Sequence, residues 1–339
     1  MVERIITNRL GYKEYYWQIV YEWEDVLSKE LGVPLSYNFF SIKIVRRILG
    51  HLPFPSIIRQ VPATRKLSLA FVMRPGVGDY NIYCKKNIIP VIIDFWSRSE
   101  DEIKAFAERY SKNPAVIVTS REVYEFLKVK LPGMRIHHWA LSLPDKYFNL
   151  PMLPKKYDCA CVGRPSFKLS EWMQEYAKEH PDFIYVYNNR VVGGKRISYV
   201  ASNGEDLNEL FNTRWGYFNV LRKTKVGLYS TPSMDGDKVK SNGIDSNGFN
   251  QVTPRLLEYL AAGCSVLARY EKNPDTDWFN LDSVAYNVAT YDDFSRLMDR
   301  CRGESSGSKR NHDYVRRHLT SVRAEELKRI VDLICSNLK

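Results

Sequence analysis

Residues 88–95 read Ile-Ile-Pro-Val-Ile-Ile-Asp-Phe, and this run limits the fold more than any other segment. It is apolar, largely β-branched and does not alternate with polar residues, the pattern of a strand covered on both faces in a parallel sheet. Parallel strands need long crossovers, usually helices. The neighbouring segments supply them. Residues 13–31 place Tyr16, Ile19, Val20, Trp23, Val26, Leu27 and Leu31 at helical spacing, and Gly32 and Pro34 end the run. Residues 100–110 and 120–129 predict two further helices, the second capped by Ser120. Residues 3–10, 67–73, 115–119 and 134–139 predict strands. The alternation implies an α/β domain with a parallel sheet.

The pattern then restarts. Residues 143–156 contain Pro144, Pro151 and Pro154 and show no periodicity. Beyond them, 157–162 reads as a strand ending in Gly163-Arg164-Pro165. Helices are expected over 169–179, 207–221 and 254–262, and strands over 183–187, 226–229 and 264–269. Residues 233–251 form a long polar stretch, and loops of that length inside a domain usually serve function. Residues 303–308 read as a flexible break before a basic helical tail. The division is a first domain over 1–145, a linker over 146–156, a second domain over 157–308 and a tail over 309–339.

Composition narrows the function classes. Hydrophobic residues make up 44% and aromatics 13%, which argues against disorder. The apolar runs are far shorter than the ~20 residues a membrane span needs. The first residues lack the zones of a signal peptide, so a cytoplasmic location is expected. Six cysteines form no Cys-x-x-Cys pair and read as free core thiols. The net charge of +11 favours acidic partners, yet no zinc-finger, RRM or KH signature is present, and nucleic acid is not expected. Residues 41–52 place Ile42, Val45, Ile48, Leu49 and Leu52 opposite Lys43, Arg46 and Arg47. Such a basic amphipathic helix suits an anionic membrane surface, or packing on the sheet.

Asp235-x-Asp237 and Asp275-x-Asp277 lie among turn formers and read as solvated loops, so no metal site is expected. Residues 74–78, Arg-Pro-Gly-Val-Gly, lack the third glycine of a dinucleotide fingerprint and read as a tight turn. His137 and His138 would face opposite sides of a strand. Asp94 ends a buried strand, where open α/β sheets present ligand residues, and suits an acceptor-side base or a turn.

The richest segment is 248–263, Gly-Phe-Asn-Gln-Val-Thr-Pro-Arg-Leu-Leu-Glu-Tyr-Leu-Ala-Ala-Gly. Thr253 suits an N-cap, Pro254 the first helical position and Gly263 the exit. A glycine-containing loop thus feeds a helix start, where unpaired amides favour anions. Arg255 and Glu258 share a face, so one can meet a phosphate while the other accepts from ribose hydroxyls. The same spacing also fits an ordinary capped helix with an exposed Arg–Glu pair.

This stretch resembles the donor-site helix of GT-B glycosyltransferases of the group-1 type, including relatives resembling spore-maturation glycosyltransferases. Thr253, Pro254, Arg255, Glu258, Leu260, Ala261 and Gly263 match their T-P-R-x-x-E-x-L-A-x-G pattern. Gly163, Arg164 and Lys168 fit the family's entry turn. Tyr229 lies in the stretch next to the nucleobase. The resemblance implies two Rossmann-like domains facing across a cleft, the second binding the nucleotide sugar. It implies donor contacts at Gly163, Arg164, Lys168, Tyr229, Gly248, Phe249, Asn250, Arg255 and Glu258, with Arg164 and Lys168 offsetting charge on the departing diphosphate. It further implies a UDP- or GDP-sugar as substrate, no bound metal or cofactor, and a saccharide or lipid-linked acceptor in bacterial surface polysaccharide assembly. Asn250 stands where many group-1 transferases carry a first glutamate. The alternatives are a nucleotide-sugar epimerase of similar fold and a non-catalytic protein binding sugar nucleotides or polyanions.

Overall fold

The computed structural model describes residues 2–42, 44–45, 47, 67–75, 84–163, 166–190, 197–235, 246–303 and 309–337. The chain divides into two compact units, Met1–Asp145 with Thr320–Lys339, and Lys146–Leu319. Each unit is a six-stranded sheet flanked by helices, and the class is α/β.

The first sheet contains β1 (Val2–Thr7), β2 (Leu35–Tyr37), β3 (Leu67–Val72), β4 (Ile88–Ile92), β5 (Val116–Val118) and β6 (Ile136–His138). All pairs are parallel, in the order β2-β1-β3-β4-β5-β6. Strand β4 is buried along its whole length, the placement its unbroken apolar run predicts. Edge strand β2 was not expected, because its three half-exposed residues carry no period.

Helix α1 (Tyr15–Leu31) ends at Gly32 in the left-handed conformation. Its inner face is Trp17, Val20, Trp23 and Leu27, whereas Tyr16 is exposed. Helices α2 (Glu100–Tyr110) and α3 (Arg121–Lys130) begin at Ser99 and Ser120, whose side chains accept from Glu102 and Val123 amides. The last helix, Thr320–Ser336, buries Ala324, Leu327, Val331 and Ile334 in the same core as α1. Burying a large apolar side chain contributes roughly 1.5–3 kcal/mol, so this face is a major part of the unit's stability. A polar link helps fix the seat: Trp139 donates to Arg323 carbonyl at 2.9 Å.

One buried group departs from the apolar pattern of α1. Glu24 is 1% exposed and faces Arg9 at 3.2 Å. Burial pushes its carboxyl up to about 7, against the pull of Thr7 and Arg9. The fold therefore favours the protonated form. That contribution is complete below the ordinary value of 4.5 and is lost as pH rises through about 7. Relative to E24Q, the parent should lose about 2.5 kcal/mol between pH 5 and pH 8 in urea unfolding. A parent and variant whose stabilities run parallel with pH would show Glu24 to be ionised throughout.

The second sheet contains β7 (Tyr157–Cys161), β8 (Tyr185–Arg190), β9 (Ile197–Ala201), β10 (Thr224–Ser230), β11 (Ser265–Arg269) and β12 (Tyr286–Asn287). Its order is β12-β11-β10-β7-β8-β9, parallel except for the antiparallel pair β8–β9. The hairpin partner β9 was not expected, and polar Asn188, Asn189 and Arg190 also hide the last half of β8. The connecting helices are α4 (Phe167–Glu179), α5 (Arg214–Arg222), α6 (Arg255–Ala261), α7 (Pro274–Trp278), α8 (Tyr291–Gly303) and α9 (Lys309–Arg317). The single helix expected over 207–221 is broken. Thr213 accepts from Gly216 amide at 3.0 Å and starts α5 afresh.

No helix among the described residues is long and apolar enough to cross a membrane. The amphipathic helix expected over 41–52 lies largely outside the described residues, as does the turn over 76–78.

Candidate functional site

In the second sheet the winding reverses at β7, which has β8 on one side and β10 on the other. Such a reversal splays the two following connections apart and leaves a crevice at the carboxyl ends of the strands. Gly163, Thr231 and the loop over 246–254 gather there, and so do most of the sequence-predicted donor residues.

Gly163 follows β7 with φ of 84°. A β-carbon at this position would overlap the Arg255 guanidinium. The glycine is thus required twice, by its backbone conformation and by the cation pressed against it. Its carbonyl accepts from Asn188 amide at 3.1 Å. Arg255 lies in the first turn of α6. Burial works against its charge, but Tyr217, Tyr259 and Glu258 together hold the guanidinium protonated more firmly than usual.

Helix α6 is keyed to the sheet beneath it. Tyr259 is fully buried, and its ring occupies the space a side chain at Gly227 of β10 would need. Its hydroxyl donates to Ala160 carbonyl at 3.0 Å. Lys155 closes the other end, donating to the carbonyls of Ala262 at 3.1 Å and Gly263 at 3.3 Å. A cation at a helix carboxyl end is favourable, and nothing in the local sequence marked Lys155 for this role. Gly263 exits with φ of 74° as the sequence predicts. The start differs from expectation: Pro254 takes the cap position, and no side chain caps the helix. Thr253 instead donates its backbone amide to Tyr229 hydroxyl at 3.0 Å.

Glu258 is 3% exposed. Its Oε1 accepts from Arg214 at 2.5 Å and its Oε2 from Tyr217 hydroxyl at 2.8 Å. The exposed Arg–Glu pair that the sequence also allowed is therefore absent: the carboxylate sits inside, held by a residue 44 positions away. Arg214 carried no sequence signal.

The remaining donor positions divide into wall and support. Gly248 turns with φ of 77° after Asn247, and both are exposed. Phe249 and Tyr229 lie with their rings in the core, 0% and 1% exposed, so they support the loop from behind. Burial pushes the Tyr229 hydroxyl up to about 12. Asn250 is partly buried, and its Oδ1 accepts from Ser233 amide at 3.0 Å, which draws together the two ends of the long connection between β10 and α6. Lys168, in the first turn of α4, is half-exposed and approaches Asp235 at 3.9 Å. Arg164 lies outside the described residues. Asp94 belongs to the other unit, half-buried just beyond β4, with its backbone amide on Met73 carbonyl at 2.8 Å.

The solvated-loop expectation fails at the first aspartate of each Asp-x-Asp pair, whereas Asp277 is exposed and Asp237 lies outside the described residues. Asp235 is almost fully buried and is gripped by Arg269, with Arg269 Nε to Oδ2 at 2.8 Å. Asp275 is 1% exposed and accepts from Val252 amide at 2.5 Å in the first turn of α7. Each carboxylate is consumed in holding a loop. Short polar segments give no hint of this, because their partners lie more than 20 residues away.

No family model matches this chain, and no curated protein matches it. Several solved structures resemble it in outline. The GtfA/B complex shares 11% identity over 87% of this chain and 60% of that chain, with a TM-score of 0.47. The pneumococcal O-GlcNAc transferase GtfA, in complex with UDP and GlcNAc, shares 12% over 79% of this chain and 57% of that one, with a TM-score of 0.45. The glycotransferase of kitacinnamycin shares 12% over 97% and 99%, with a TM-score of 0.43. The chain spans 60% or less of the first two. At such identities the likeness concerns general outline alone.

What the arrangement offers chemically follows from its own geometry. A left-handed glycine turn lets an anion approach the backbone, Arg255 supplies charge from behind, and Lys168 supplies it from the solvent side. A phosphate group suits that combination.

Proposed function

We propose that the second unit binds the diphosphate of a nucleotide sugar at this crevice and that the chain is a metal-independent glycosyltransferase. One observation carries the reading. At the sheet's winding reversal, Gly163 removes the side chain that would separate Arg255 from an anion lying on the turn. The rest follows as chemistry. Bond cleavage builds negative charge on the leaving diphosphate, and preorganised cations lower the barrier by meeting it. Lys168 and Arg164 are assigned that part. Each carboxylate oxygen has a second lone pair, so Glu258 can accept from a ribose hydroxyl while keeping Arg214 and Tyr217. Asp94 is assigned to deprotonate the acceptor, a saccharide or a lipid-linked saccharide.

The test is thermal unfolding with UDP-, GDP-, TDP- and ADP-sugars, followed by product analysis. A ligand at 100 times its Kd should stabilise the protein by about 2.7 kcal/mol. Donor and acceptor incubated together should give a lengthened acceptor, and D94N should bind donor without transferring it. No stabilisation by any nucleotide sugar would remove the donor assignment. Binding without turnover would favour the second reading, a sugar-nucleotide-binding protein. That reading draws on Asn250 replacing a charged group and on Glu258 being tied to Arg214. An isomerised donor would mean an epimerase.

A further inference from the structure

Asp235, in the turn after β10, combines two costly features: its φ is 65°, and its side chain is 2% exposed. A left-handed non-glycine residue and a buried carboxylate each cost free energy, so both persist only where the surroundings enforce them. Here the surroundings come from three strand ends. Arg269, the last residue of β11, grips both carboxylate oxygens. Arg269 is itself fixed, lying over the Trp172 ring at 5.0 Å and donating to Val288 carbonyl at 3.0 Å. Ser166, beyond β7, donates its hydroxyl to Oδ2. Lys168 Nζ stands 3.9 Å from Oδ1.

Ser166 links this cluster to the crevice. Its hydroxyl also accepts from Leu169 amide as the cap of α4, and its amide donates to Ser230 hydroxyl at 2.7 Å. Ser166, three residues after Gly163, is therefore anchored by Asp235. The Lys168 contact is different in kind. At 3.9 Å it is beyond hydrogen-bond length, and the lysine is 45% exposed. The ammonium is attracted towards the cluster without being locked into it.

We propose that Asp235 is a positioning residue for the diphosphate site: it anchors the Ser166 cap and tethers Lys168, which exchanges Asp235 for a phosphate when the nucleotide enters. This inference rests on the donor-site reading above. Arg269 keeps Asp235 neutralised after the exchange, so Lys168 can leave without stranding a buried charge.

The test is a double-mutant cycle read by UDP and GDP binding and by turnover. Asparagine tolerates the left-handed conformation and keeps an oxygen acceptor, so D235N removes chiefly the charge. D235N should weaken binding of the better nucleotide about tenfold in the parent background. In K168A the same change should weaken it only about threefold, the part that acts through the Ser166 cap, because the part that acts through Lys168 is gone. KM for the donor should rise with it, and kcat should fall as well, because Lys168 is assigned to charge that grows as the bond breaks. Equal losses in both backgrounds would mean a merely structural role and overturn the inference. Unchanged affinity in folded D235N would overturn it too. Should D235N fail to fold, S166A keeps the Arg269–Asp235 pair and should weaken binding about threefold; parent-like affinity in S166A would refute the anchor. A parent that binds neither nucleotide nor any nucleotide sugar overturns the donor-site reading itself, whereas a binding parent with insensitive variants overturns only the role of Asp235.

Discussion

Gly163→Ala is expected to abolish nucleotide binding and to lower stability by about 2–5 kcal/mol. Two terms add. The left-handed backbone costs a residue with a β-carbon about 1–2 kcal/mol. The new methyl then overlaps the Arg255 guanidinium, and overpacking costs about 1–3 kcal/mol more. The guanidinium is enclosed by Tyr217, Tyr259 and Glu258, so moving it off the turn disturbs that cluster. Gly204 is the matched control. Its φ is 88°, and a β-carbon there meets nothing within 4 Å. Gly204→Ala should therefore show the backbone cost alone and leave binding intact. Urea unfolding of both variants measures the difference. Equal stabilities would mean that Arg255 does not press on the turn, and the central feature of the crevice would be lost.

The second large effect is expected at the buried pair. Glu258→Leu should destabilise by about 3–5 kcal/mol, since it leaves Arg214 buried without its carboxylate. The double variant Arg214→Met with Glu258→Leu should recover most of that loss, because apolar groups of similar volume replace a desolvated ion pair at little cost. Stability and function then separate. If Glu258 holds the ribose, the restored double variant should still bind nucleotide at least tenfold more weakly, the equivalent of a charged hydrogen bond of roughly 1.5–3 kcal/mol. Parent-like affinity in the double variant would confine Glu258 to a structural role. A double variant no more stable than Glu258→Leu would mean that the pair does not account for the burial of Arg214.

Much of the scaffold was legible because its signals are local. The apolar run over 88–93 marks β4, the spacing from Ile19 to Leu27 marks α1, and Ser120 marks the start of α3. Gly32 and Gly263 mark helix exits through backbone freedom that other residues lack. Where the local signal is weak, reading failed. The edge strands β2 and β9 are short, three and five residues, so their pairing reveals them better than any period does.

The candidate site was legible in part and for the same reason. Gly163 and the 253–263 segment announce a turn and a helix, and both lie at the winding reversal. What surrounds them was not readable. Arg214, Lys155, Asp235 and Asp275 look like ordinary surface charges in the sequence, yet each is spent inside the second unit on a distant partner. Glu24 is the same case in the first unit, a charge at a helical position that proves to face inward.

The sequence by itself determined the alternation of strands and helices, the glycines that turn the chain, and the segment that approaches an anion. Only the tertiary structure decided which charges are free and which are consumed. The physical reason is range. Periodicity and capping act over three or four residues, so the sequence displays them directly. The ionisation and availability of a side chain depend on burial and on partners brought from other strands. Arg255 is drawn against Gly163, and Asp235 against Arg269, only once the sheet has assembled.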